Sequence, residues 1–177
     1  MTPQQLKNSI LQLAIQGKLV EQRPEEGTAK ELLQEISAEK RRLIREGKIK
    51  KANPLPEISE DEIPFEVPES WEWVRLGDIA LTNIGLTYKP TEIVEDGGII
   101  VLRSNNIQND KIVYDDIVRV GINVPENKVC QKGDILICAR NGSKRLVGKA
   151  AIIEENGMSF GAFMTILKPV IINEPGH

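Results

Sequence analysis

The sequence predicts an α+β chain: an N-terminal helical hairpin, a proline-rich linker, and then a mixed, mainly β domain. Three observations carry this. Residues 1–52 hold two apolar patterns of helical period. Residues 53–70 hold Pro54, Pro56, Pro64 and Pro68 among acids, a composition that prohibits long helix and favours extended backbone. From Trp71 to His177 come short apolar runs rich in β-branched residues, punctuated by glycine and asparagine.

The first helix is expected over residues 3–17. Pro3 suits a first turn, Leu6, Ile10, Leu13 and Ala14 recur at helical spacing, and Gly17 is a stop. Residues 23–27 form a polar turn. The second helix starts at Thr28, where Thr28 and Glu31 form a capping box. Leu32, Leu33, Ile36, Leu43 and Ile44 make its apolar stripe, and Gly47 ends it. Neither helix can bury its stripe alone, so the two are expected to pack on each other and on a third element. Basic residues Lys48, Lys50 and Lys51 lead into the linker, which turns acidic through Glu57, Glu60, Asp61, Glu62, Glu66 and Glu69, a run read as solvated.

In the β-rich part, Trp71 and Trp73 alternate and are read as packing residues. Arg75–Ile79 begins a short helix or turn. The 85–90 loop carries Tyr88 and Lys89. Asp96-Gly97-Gly98 is a tight turn feeding a buried strand, Ile99–Leu102, whose end is the polar cluster Arg103, Ser104, Asn105 and Asn106. Further short strands are expected over 115–120 and 128–130. The strongest local signal lies in 134–167. Two apolar runs, 135–140 and 146–153, flank Asn141-Gly142, a pair that accepts positive φ at both central positions of a hairpin turn, and a second pair, Asn156-Gly157, leads into another strand-like run from Met158 to Leu167. Arg140, Ser143, Lys144 and Arg145 sit at the first turn, with no acid between Asp134 and Glu154. Guanidinium, ammonium, hydroxyl and amide groups held on a hairpin tip suit phosphates and base edges.

Composition restricts the function classes. The chain has 177 residues, 40% of them apolar, with a net charge of −3. A stand-alone nucleic-acid binder is usually basic, so any such role here would be shared with a more basic partner. Cys130 and Cys138 fit no zinc spacing, and His177 is the one histidine. Reduced thiols point to a cytoplasmic protein. No signal peptide and no run of 18 apolar residues is present, so no membrane association is expected. Catalytic motifs fail on spacing. Five residues separate Gly142 from Gly148, and Ala150 follows Lys149, where a phosphate-binding loop needs four and a hydroxyl. Asp116 with Glu126 and Lys128 matches a metal nuclease's acids and lysine only by chance spacing.

The order of these segments resembles the DNA specificity subunit of type I restriction-modification systems. The stretches that carry the likeness to its target recognition domain are 67–79, 85–87, 103–107, 132–143 and 160–169; residues 6–10, 16–20, 38–40, 43–44, 46–50 and 58–65 are similar to its conserved spacer and lead-in. The resemblance implies a non-catalytic subunit that reads one half of a bipartite double-stranded DNA site. It implies modification (methyltransferase) subunits and a restriction subunit as partners. S-adenosylmethionine, ATP and magnesium would belong to those partners, with no cofactor and no metal here. The implied DNA-binding residues are Tyr88 and Lys89, then Arg103, Ser104, Asn105 and Asn106, then Arg140, Asn141, Ser143, Lys144 and Arg145. The family's recognition domain continues through further helix, so a recognition domain ending at His177 is expected to be truncated. A protein-interaction scaffold without nucleic-acid function is the alternative from a different class.

Overall fold

The computed structural model describes residues 1–170; the expected C-terminal truncation and His177 lie outside them. The chain folds as two units, residues 1–79 with 170, and residues 80–169. The division falls after Ile79, so the Trp71–Ile79 stretch and the linker group with the helices rather than with the β structure.

In the first unit, α1 spans Pro3–Ile15 and α2 spans Ala29–Arg45. Both begin in capping boxes: Thr2 with Gln5, and Thr28 with Glu31, as expected for the second. Gly17 and Gly47 follow the two helices at φ 66° and 71°, the left-handed conformation glycine adopts without steric cost. The two apolar stripes are not packed on each other. No side chain of α1 is buried, and Ile36 is the buried residue of α2. Leu6, Ile10, Leu11, Leu13 and Ile15 of α1 are exposed.

All six linker acids are exposed, as expected of a solvated run, while Arg75 ties the linker backbone down. Arg75 donates to both carboxylate oxygens of Glu62 at 2.6 and 2.7 Å and to the carbonyls of Pro56 and Glu57. Phe65 meets Trp73 edge to face, ring centres 5.1 Å apart, an arrangement the ring quadrupoles favour. Trp73 is thus a packing residue as expected, whereas Trp71 stays 43% exposed and donates its indole N–H to Gln22. A short α3, Leu76–Ile79, has its carbonyls at Gly77 and Asp78 capped by the Lys40 ammonium.

The second unit holds ten short strands: β1 Ala80–Ile84, β2 Ile93–Val94, β3 Ile99–Leu102, β4 Ile107–Gln108, β5 Lys111–Ile112, β6 Val118–Val120, β7 Ile135–Cys138, β8 Ala150–Ile152, β9 Ser159–Phe160 and β10 Met164–Pro169. One sheet runs β1-β10-β7-β8, antiparallel throughout. A second runs β2-β6-β3-β9, with β3 and β9 parallel. Alternation along β3 explains the two apolar clusters. Leu102 joins Ile107, Leu136, Ile153, Phe160, Met164 and Ile166, whereas Val101 joins Leu86, Val120 and Val124.

Three local expectations are revised. The β7–β8 pairing exists, but its connection is the long 139–149 loop, and Gly142 does not adopt positive φ. The tight two-residue hairpin turn lies at Asn109-Asp110, both at positive φ, between β4 and β5. The strand expected at 128–130 is absent: Glu126–Lys128 form a 3-10 turn, and Cys130 is buried outside any strand. The run expected from Met158 to Leu167 is broken at residues 161–163, between β9 and β10. Asp96-Gly97-Gly98 does form the expected turn, with Gly97 and Gly98 at φ 69° and 65°.

A buried ion pair braces the first sheet. Asp134, 7% exposed, accepts from Lys168 on β10 at 2.7 Å; Lys168 also donates to the Val129 carbonyl. Nearby Cys130 has its thiol pushed up to about 12, first by burial and then by the Asp134 charge.

Candidate nucleic-acid interface

Sheet register puts four loops at one end of the β unit. Ile84 at the end of β1 pairs with Thr165, and Cys138 at the end of β7 pairs with Met164 at the start of β10. Leu102 at the end of β3 pairs with Phe160 at the end of β9. The loops following these strands, 85–90, 103–106, 139–149 and 161–163, therefore leave from the same edge.

Two of these loops meet backbone to backbone. Leu86 donates to the Phe160 carbonyl at 2.6 Å and Gly85 to that of Met164 at 3.1 Å. A Cβ on Gly85 would lie 2.0 Å from the Gly161 carbonyl oxygen, so this approach requires glycine. The platform carries Tyr88, half-buried against the second cluster, and Lys89, exposed. It also presents Phe163, an exposed aromatic that the sequence reading did not single out.

The 103–106 and 139–149 loops are also linked. Asn141 donates from Nδ2 to Ser104 Oγ at 3.1 Å, and its Oδ1 accepts the Ser143 N–H at 2.9 Å. Lys149 donates to the Ser104 carbonyl at 3.4 Å. The Arg140 N–H donates to the Phe163 carbonyl at 2.9 Å, which joins the 161–163 turn to the same group. Asn141 and Ser104 thus act on each other, and their polar atoms hold the loops in place.

The remaining expected residues divide by what their side chains touch. Arg140, Lys144 and Arg145 are exposed, and among the described residues no carboxylate pairs with them. Ser143 is exposed at the start of the turn that carries Lys144. Arg103 is held by Asp116, Nη2 to Oδ2 at 2.9 Å, and Asn105 Nδ2 donates to the same oxygen at 2.6 Å. Asp116, which sequence reasoning weighed only as a nuclease acid, is therefore the group that orients two candidate readers. Asn106 is a correction. It is 1% exposed; its Oδ1 accepts the Arg103 N–H, and its Nδ2 donates to the carbonyls of Val113 and Asp116. It shapes the loop from inside and presents nothing outward, because a buried amide must satisfy its own hydrogen bonds.

A cleft of about 370 Å³ opens among these loops, lined by Tyr88, Arg103, Ser104, Asn105 and Phe163 over a floor that includes Leu86 and Met164. Among the described residues, no group of three His, Cys, Asp or Glu side chains could hold a metal ion, and no helix is long and apolar enough to cross a membrane. What this edge offers is a row of cations, amides and an aromatic ring on braced loops, the chemistry of a polyanion-recognition module.

No family model matches the chain. The comparison with curated proteins is specific. The chain is 45% identical over 135 residues to the type I restriction enzyme EcoAI specificity subunit of Escherichia coli, covering 75% of this chain and 23% of that protein. It is 36% identical over 162 residues to the EcoEI specificity subunit of Escherichia coli, covering 85% and 26%. The chain is a homologue of a segment of the type I restriction enzyme specificity subunits, spanning about a quarter of the length of these relatives. Among solved structures, the HsdS subunit from Thermoanaerobacter tengcongensis aligns over 79% of this chain and 33% of its own, with a TM-score of 0.47 at 20% identity.

Proposed function

We propose that this chain recognises one half of a bipartite duplex DNA site as part of a type I specificity subunit. In this reading it performs no chemistry itself. It directs adenine methylation or ATP-dependent cleavage by modification and restriction subunits, which bring S-adenosylmethionine, ATP and magnesium; the assembly is cytoplasmic. The observation that supports it best is the convergence of the loops. Among the described residues no carboxylate pairs with Arg140, Lys144 or Arg145, which stand beside a Ser104–Asn141 brace, in a sequence homologous to specificity subunits.

Roles follow from chemistry. Arg140 reads a base edge, because a guanidinium fork matches the guanine O6/N7 pair. Arg103 and Asn105 are held ready by Asp116 as further readers. Lys89, Ser143, Lys144 and Arg145 neutralise or bond phosphates, which positions the duplex without reading it. Tyr88 lines the cleft between them. The negative net charge fits a protein whose partners share the duplex.

The test is a genome-wide map of methylated adenine in source cells with and without the gene. Loss of one bipartite motif supports the reading; an unchanged map with the partner subunits expressed refutes it. In binding assays with the complex, Arg140→Ala should cost about 1–3 kcal/mol and relax specificity at one base pair. Lys144→Ala should weaken all sequences alike and lower the salt slope by about 1. Binding that ignores salt would favour the scaffold alternative.

A further inference from the structure

We propose that Phe163 is a specificity-determining residue that makes apolar contact with the 5-methyl group of one thymine; this rests on the DNA-recognition reading above. Phe163 is 67% exposed, its carbonyl accepts the Arg140 N–H, and it lines the cleft with Tyr88, Arg103, Ser104 and Asn105. In the cleft the ring joins Tyr88, so an apolar group shares the opening with the polar readers. Here the placement is rigid. The Phe163 carbonyl accepts from both Ala139 and Arg140, at 3.0 and 2.9 Å, and the neighbouring turn is locked by the Gly85–Gly161 approach. The backbone that carries the ring is therefore fixed beside that of Arg140, and the ring lines the cleft that Arg103 and Asn105 also line.

The occupant can be argued from chemistry. The surroundings call for an anionic ligand, and the ring calls for an apolar group on that ligand. In a stacked duplex the base edges are polar except for the thymine methyl, which lies in the major groove. That methyl satisfies both demands, and it is presented on the same edge that the neighbouring Arg140 fork would read.

The test uses the full-length gene product assembled with its modification subunits. Once the methylated motif is known, each thymine of the half-site is replaced by deoxyuridine, which removes only the methyl. One replacement should raise Kd about fourfold, the value of one methyl removed from water. In Phe163→Ala that same replacement should have no effect, and Phe163→Leu, which keeps an apolar group, should retain part of it. The exposure of Phe163 means both variants should fold with the wild-type melting temperature. The inference is overturned if the half-site contains no thymine, if no replacement matters, or if Phe163→Ala keeps the full methyl dependence. A wild-type complex with no preference for any half-site over scrambled duplex would instead remove the recognition reading itself.

Discussion

Replacing Asn106 should strongly destabilise the β unit, whereas replacing its neighbour Asn105 should not. Asn106 makes three side-chain hydrogen bonds, at 2.9, 3.0 and 3.0 Å, from a position 1% exposed. Each such bond contributes about 1 kcal/mol net, and its loss costs more where the partner stays buried. Arg103 and Val113 are half-buried and Asp116 is exposed, so water can reach some of the orphaned groups. Asn106→Ala should therefore destabilise the unit by about 2–4 kcal/mol, a melting shift on the order of 10–25 °C for a unit of this size. Asn105 has one exposed bond to Asp116, so Asn105→Ala should stay within about 1 kcal/mol of wild type. The buried thiols Cys130 and Cys138 both lie in the β unit, and thiol labelling across a urea series reports its opening selectively. If Asn106→Ala has the wild-type labelling midpoint but loses sequence-specific binding, the assignment of Asn106 to the interior is wrong.

Three further outcomes are expected. Lys168→Ala leaves Asp134 buried without its cation and should cost about 3–5 kcal/mol, read as a lower denaturant midpoint. Glu62 is held at about 2, first by the Arg75 guanidinium and then by the Ser59 amide and hydroxyl. Its folded pKa lies below the ordinary 4.5, so its contribution is present above that value and lost as pH falls towards 2. Arg75→Met should flatten the acid limb of a stability–pH curve in that window, and an unchanged limb would count against the pairing. For Cys130 the sign is opposite. Burial favours the neutral thiol, so stability should hold below pH 9 and fall as pH rises towards 12. Native protein at pH 8 should resist thiol reagents until denaturant is added.

Much of the local structure was legible in the sequence. The Thr28–Glu31 box, the stops at Gly17 and Gly47, and the Gly97-Gly98 turn were read from residue types, because each is fixed by contacts within a few residues. The β character after Trp71 followed from branched residues and punctuation. Asn141-Gly142 misled for an identifiable reason. The pair tolerates a tight turn, but the Asn141 amide is engaged by Ser104 from another loop, and the chain takes a longer path. Asn109-Asp110 forms the tight turn because β4 and β5 are only two residues each and pair immediately across it.

The sequence by itself determined the fold class, the helix ends, the absence of familiar catalytic spacings and the residue types available for recognition. Each of these depends on composition or on neighbours along the chain. The tertiary structure decided which of those residues face outward. Arg103 and Asn106 lie three positions apart with similar polarity, yet one reaches Asp116 at the surface and the other is enclosed. Phe163 is one of three phenylalanines; the antiparallel β7–β10 pairing brings its backbone beside that of Arg140. Exposure and orientation depend on strands far apart in sequence, and that pairing is not encoded in any local pattern.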